Sequence, residues 1–264
     1  QERQQLQNLE SHVRSHASKV DSSFQNYQGL LGVLVASSSE MLSSDLNRDR
    51  AKSVSSGKDF YYVQDFDAGI VEDMVDAKHY GYPISLEEPS YMLSDDKENR
   101  AWAMSNLKRL PPIRRHFKNV LLRSYSEAAA GFVSSRVKDR IAKRGTPISW
   151  AYIGLKSGGY AIYPGHGGVP DRFDVRERPW FKEAEKRSKN DRGPRWGAPT
   201  MDVHGLGQVL SCVQPIYNSG DEYIGMAGVD VTYDFLMDEL LPLANVNGVE
   251  SILIVDGKGK EVVN

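Results

Sequence analysis

The chain has 264 residues, 40% hydrophobic and 26% charged, ordinary globular usage for one large domain or two smaller ones. Its 33 basic and 35 acidic side chains leave a formal net charge of −2, so no basic excess drives nucleic-acid binding, and no nucleic-acid motif is present. The single cysteine, Cys212, excludes an intrachain disulfide and any multi-cysteine metal site. No apolar run reaches about 18 residues, the length a membrane-spanning helix needs. The chain opens on Gln1 without a signal peptide and reads as a piece of a longer protein.

In chain order, the first signal is a stripe. Leu6, Leu9, Val13, Ala17, Val20, Phe24, Tyr27, Leu31, Leu34 and Met41 follow one another with helical spacing, interrupted only by Gly29 and Gly32. This predicts a helix of 35–40 residues, roughly 55 Å long. Its polar first part suits a stalk or coiled coil, and its second part, "GLLGVLVASSSEML", is apolar enough to lie on a domain. Residues 45–95 carry turn formers and tyrosines and predict short helices and ordered loops. A helical pattern returns at 96–110 and breaks at Pro111-Pro112, where a second helix begins with Ile113, Phe117, Val120 and Leu121 on its apolar side. Residues 127–145 are ambiguous.

From residue 147 the period changes to two. "PISWAYIGL", a Gly158-Gly159 turn and "YAIYP" predict a hairpin. A loop over 164–177 precedes a short helix from Pro179 to about Lys189, and "GQVLSCVQPIYN" and "EYIGMAGVDVTY" add two more strands. Four antiparallel strands with helices on one face make an α+β domain. "DFLMDELLPLAN" reads as helix, and "SILIVDGKGKEVVN" as a hairpin opening a second sheet that is incomplete. The division expected is a scaffold helix at 1–45, a sheet domain at 46–240 and the start of another at 241–264.

The segment "RERPWF" has the physics of an anion pocket. Arg178 is a planar, permanently charged fork suited to a carboxylate, and Trp180 supplies an apolar wall. Pro179 suits a first helical position, where free N–H groups favour a nearby anion. The same residues also fit a structural arrangement in which Arg178 pairs with an internal acid such as Asp174 and Trp180 is core. Asp230 lies between Val229 and Val231 in an apolar strand, where a carboxylate needs a partner: a ligand ammonium, a protein donor or Arg178. Alternation places Met226, Gly228 and Asp230 on one face, with the glycine leaving room for a ligand. Asp202, in "PTMDVHG", is placed to close a turn. Tyr152, Tyr160, Tyr163 and Ser211 lie on the strands that would line the pocket.

His12, His16, His79, His116, His166 and His204 show no metal-ligand spacing, and there is no P-loop, nucleophile elbow or dinucleotide loop. No catalytic residue, metal or cofactor is therefore assigned, and the chain is not expected to be an enzyme.

The succession "WAYIGLKSGGYAIYP", "FDVRERPWF", "WGAPTMD", "GQVLSCVQPIY" and "GMAGVDVTYDFL" resembles the double-Cache ligand-sensing domains of bacterial chemoreceptors and sensor kinases. The resemblance spans about 147–236 and, more loosely, the long helix. It implies a PAS-like Cache sheet in the membrane-distal subdomain, with residues 250–264 as the first hairpin of a membrane-proximal one. It also implies that Arg178 grips a ligand carboxylate, that Asp230 takes an ammonium, and that Trp180, Phe181, Phe173 and Thr200 stand at the remaining family positions; Asp202 and Tyr152 join the candidate site from the turn and strand readings above. Phe173, Phe181 and Thr200 stand where the family usually has tyrosines, so three ring hydroxyls are missing while the charge clamp is kept.

The expectation is an extracytoplasmic (periplasmic) sensor domain of a membrane-anchored signalling receptor. It would bind a small carboxylate-bearing molecule and dimerise through the N-terminal helix. The alternative is a protein-interaction domain of the same fold without a small-molecule ligand.

Overall fold

The computed structural model describes residues 2–43, 52, 60–125, 135–170, 172–187, 189–237, 254–255 and 261–263. Helix α1 (Glu2–Ser43) has 42 residues. It is followed by β1 (Tyr61–Tyr62), α2 (Val63–Asp67), the hairpin β2 (Met74–Ala77) and β3 (Tyr82–Ser85), and β4 (Ser90–Leu93). Helices α3 (Arg100–Leu107), α4 (Arg114–Ser124) and α5 (Ser135–Arg144) come next. The hairpin β5 (Ile148–Leu155) and β6 (Gly159–Tyr163) leads to α6 (Pro179–Glu185). The short strands β7 (Arg195–Trp196) and β8 (Thr200–Met201) precede the long pair β9 (Gln208–Tyr217) and β10 (Tyr223–Thr232). Finally, β11 (Ile254–Val255) pairs antiparallel with β12 (Glu261–Val263), as the terminal hairpin pattern predicts.

The architecture is α+β. The main sheet runs β1-β4-β6-β5-β10-β9-β7, with β8 also on β9. The four predicted strands form its antiparallel centre, β6-β5-β10-β9. All of β5, and β10 from Gly225 onward, are buried, as a strand flanked on both sides must be. The register sets Asp230 opposite Trp150 on β5 and Ser211 on β9, and Gly228 opposite Tyr152. A bulge interrupts the β5–β10 ladder between Asp230 and Val231, beside the candidate site, where bulges commonly re-aim side chains.

Helix α1 divides along its length. Tyr27, Leu31, Leu34, Met41 and Leu42 are buried, and this half packs on β9, β10 and α4. Ser39 Oγ donates to the Tyr217 carbonyl at 2.5 Å. Phe24 meets Trp196 of β7 with ring centroids 4.4 Å apart. Before Val20 the described side chains are mostly exposed, Val13 by 44%.

Several boundaries differ from the sequence reading. Residues 60–95 hold four strands besides the expected short helix, and β4 joins the main sheet through β6. These strands are two to four residues long, too short to show an alternation. Helix α6 ends at Glu185. Of the helix expected over 234–245, only the turn Tyr233–Phe235 and residues to Met237 fall within the described residues. Most of the segment 241–264 lies outside them.

Candidate functional site

The site begins at the α6 N-terminus. Asp174 caps the preceding 3-10 turn by accepting from the Arg176 backbone N–H at 2.9 Å. Its carboxylate also pairs with the Arg176 guanidinium at 2.6 Å, and Arg176 reaches Asp96 at 2.8 Å. The acid that the sequence offered to Arg178 is thus taken by its neighbour. Pro179 occupies the first helical position, and Gly154 of β5 lets the turn come close. A Cβ there would stand 2.5 Å from Val175 and 3.3 Å from Phe181.

Arg178 is therefore left over. Among the described residues its guanidinium has no hydrogen bond or ion pair, and its Nε is buried without a partner. It lies over the Phe173 ring, 5.7 Å from the centroid. A guanidinium held partly out of water with open donors is what a carboxylate completes.

Arg178 lines one cavity with Tyr152, Tyr160, Phe173, Trp180, Thr200, Asp202, His204, Ser211 and Asp230. Of the eight residues singled out from sequence, Arg178, Trp180, Asp230, Phe173, Asp202, Thr200 and Tyr152 meet there. Phe181 does not. One residue further along a helix turns the side chain by about 100°, so Phe181 points into the core, buried against Tyr223 at 6.2 Å between ring centroids. Trp180 keeps the cavity side, 4.9 Å from Tyr152 and 6.5 Å from Tyr160.

Asp230 is buried, and its carboxyl is pushed up to about 7, first by burial and further by the nearby Asp202 charge. Hydrogen bonds to Ser211 and Tyr152 offset part of this. The Tyr152 hydroxyl donates to Asp230 Oδ1 at 2.9 Å, supplying from β5 a ring hydroxyl next to the clamp. Gly228 makes that bond reachable. A Cβ at Gly228 would lie 2.5 Å from the Tyr152 ring and 2.7 Å from its hydroxyl, so the space opened by the glycine is filled by the tyrosine and not left for a ligand. Gly228→Ala is expected to displace Tyr152 and cost about 1–3 kcal/mol. In thermal denaturation that reads as a drop of about 2–4 °C per kcal/mol.

Asp202 closes its turn as its sequence context suggests. Its Oδ2 accepts from the Leu206 N–H at 3.0 Å and from Trp150 Nε1 at 3.2 Å. His204, two residues on, escaped the sequence reading because nothing in its spacing marks it. His166 Nδ1 lies 3.1 Å from the Pro164 carbonyl, and His166 Nε2 lies 3.0 Å from His204 Nδ1. A carbonyl only accepts, so His166 Nδ1 carries the proton and its Nε2 accepts from His204 Nδ1–H. Both rings are held neutral, down to about 3. Burial is the main cause, followed for His166 by the His204 charge and for His204 by the Arg178 charge. His204 Nε2 is thereby left as a bare acceptor.

Because the folded state refuses protons that the unfolded chain takes below about pH 6.5, the stability this pair contributes is full above that pH. It is lost progressively as pH falls toward 3. Imidazole nitrogen NMR is expected to show neither ring titrating between pH 8 and 5 in the folded protein.

No family model matches the chain. It is 26% identical over 113 residues to the methyl-accepting chemotaxis protein McpG of Pseudomonas putida, covering 43% of this chain and 16% of that protein. The chain resembles bacterial chemoreceptors. Solved structures that match include the ligand-binding domain of the Pseudomonas fluorescens chemoreceptor CtaA in complex with L-serine, at 26% identity. That match covers 44% of this chain and 48% of that one, with a TM-score of 0.37. The ligand-binding domain of the Pseudomonas aeruginosa chemoreceptor PctC in complex with GABA matches at 24% identity, covering 44% and 50%, with a TM-score of 0.35. The chain thus spans about half the length of these solved domains and a smaller share of the curated relative. Among the described residues, no helix is long and apolar enough to cross a membrane, and no group of three or more potential metal ligands is present.

Proposed function

We propose that the chain is the extracytoplasmic sensor domain of a membrane-anchored signalling receptor and that it binds a small carboxylate-bearing molecule without turnover. The observation that carries this reading is the Arg178 guanidinium, without a hydrogen bond or ion pair among the described residues, lining the same cavity as Asp230, Trp180, Tyr152 and Phe173. A carboxylate satisfies Arg178. An ammonium on the same ligand faces Asp230 and Asp202, and the rings exclude water, which strengthens both contacts. Residues 46–240 would form the binding unit and 241–264 the start of a second. Ligand would favour one arrangement of the 200–207 turn over another, and only that difference in affinity can be passed on as a signal.

A thermal-shift screen of amino acids, amines and small organic acids tests the reading, since a ligand of the folded state raises its melting temperature. A hit that disappears in Arg178→Ala supports it. Silence across the panel would turn the reading to a protein-interaction domain.

A further inference from the structure

A second cavity adjoins the clamp. The two share Val203 and His204, which form the wall between them. The clamp cavity encloses about 40 Å³. With a water needing roughly 10–15 Å³ in this measure, that is space for on the order of three waters, hence for a charged head group and little more. The second cavity encloses about 320 Å³. Its lining is mainly apolar, with Phe66, Met74, Tyr82 and Pro83 supplied by α2 and the β2–β3 hairpin. Its one charged side chain, Asp67, already accepts the Gly168 N–H at 2.8 Å.

The partition is held from both sides. The Tyr82 hydroxyl donates to the His204 carbonyl at 2.8 Å, and His204 Nδ1 is bonded to His166, which lines the second cavity only. The turn that carries the partition bends through Gly205 and Gly207 at φ +96° and +79°, a conformation glycine adopts without steric cost.

We infer that the two cavities are one ligand site, in which Arg178 holds an acidic head group and the second cavity takes an uncharged apolar or aromatic tail that passes the Val203–His204 turn. The ligand class is a carboxylate, with or without an α-amino group, bearing a large apolar substituent. This rests on the clamp reading above, and the test separates the two.

Isothermal titration of the purified domain compares glycine with L-phenylalanine and acetate with phenylacetate. The aromatic member of at least one pair is expected to bind at least about tenfold more tightly, from burial of its ring. Met74→Trp, which fills the second cavity, should erase that ratio and leave the short member unchanged. Met74→Ala, which enlarges the cavity without overpacking it, should move the preference toward the larger L-tryptophan or indole-3-acetate. That serves as the readout if the tryptophan variant fails to fold.

Short and aromatic ligands bound equally, both lost in Arg178→Ala, would overturn the two-compartment site and leave the clamp standing. A ratio that neither Met74 substitution changes would place the tail elsewhere and overturn it too. No binding by any probe would overturn both readings.

Discussion

Arg178→Ala should weaken carboxylate binding by about 100-fold or more while leaving the melting temperature unchanged or slightly raised. The first expectation follows from removing one member of a partly desolvated charge pair, worth about 3 kcal/mol. The second follows from the unliganded fold. Among the described residues the guanidinium holds no acid in place, its Nε is buried without a partner, and Asp174 is secured by Arg176. Removing an unsatisfied buried donor costs the fold nothing in hydrogen bonds and relieves a desolvation penalty. Arg178→Lys should recover little, because a point charge does not reproduce the two-pronged contact. A variant that unfolds readily would show that Arg178 is structural and would remove the basis for the clamp.

Asp230→Asn should raise stability in a pH-dependent way. The buried carboxyl titrates near 7 instead of at its ordinary value of 3.8. Below about pH 4 it is protonated in both states and costs nothing. As pH rises toward 7 the unfolded chain ionises it freely while the fold resists, so stability falls, reaching a penalty of up to about 4 kcal/mol above pH 7. The amide keeps an acceptor for Tyr152 and a donor for Ser211 and has no charge to desolvate. The variant should therefore be more stable than the parent at pH 8 and indistinguishable from it at pH 4, as denaturant titrations at the two pH values would show. The same substitution should weaken ligands bearing an ammonium group and spare plain carboxylates. In the parent protein, affinity for the ammonium-bearing ligands should fall as pH drops below 7, because the partner they need becomes protonated. Equal stability of parent and variant at pH 8 would mean that Asp230 is ionised and paired within the fold.

What could be read from the sequence depended on the length over which a pattern repeats. Helix α1 was legible because its stripe continues for ten turns. The strands β5, β6, β9 and β10 were legible because each is five to ten residues long and edged by glycines or polar turns. Strands β1 to β4 offer two to four residues each, interrupted by Pro83 and Pro89, and only their pairing defines them. At the site, the type of each side chain was readable but not its direction. Arg178 and Asp230 stand out because charges in apolar surroundings need partners, whereas the core position of Phe181 follows from a helix start fixed to the residue by Pro179. The Tyr152–Asp230 bond depends on the register between β5 and β10 and on the missing side chain of Gly228, neither of which composition reveals. The His166–His204 pair joins residues 38 apart that share no motif.

The unequal halves of α1 have a mechanical meaning. Its second half is packed on β9 and β10, the strands that carry Ser211 and Asp230, so the helix moves as a rigid extension of the binding surface. Its first 18 or so residues, about 27 Å of rod, stand clear of that surface. A tilt of about 5° where Leu31 and Leu34 seat against the domain would swing the free end, about 45 Å away, by about 4 Å. A small rotation at the packed half of the helix is thus magnified into a larger displacement at its far end.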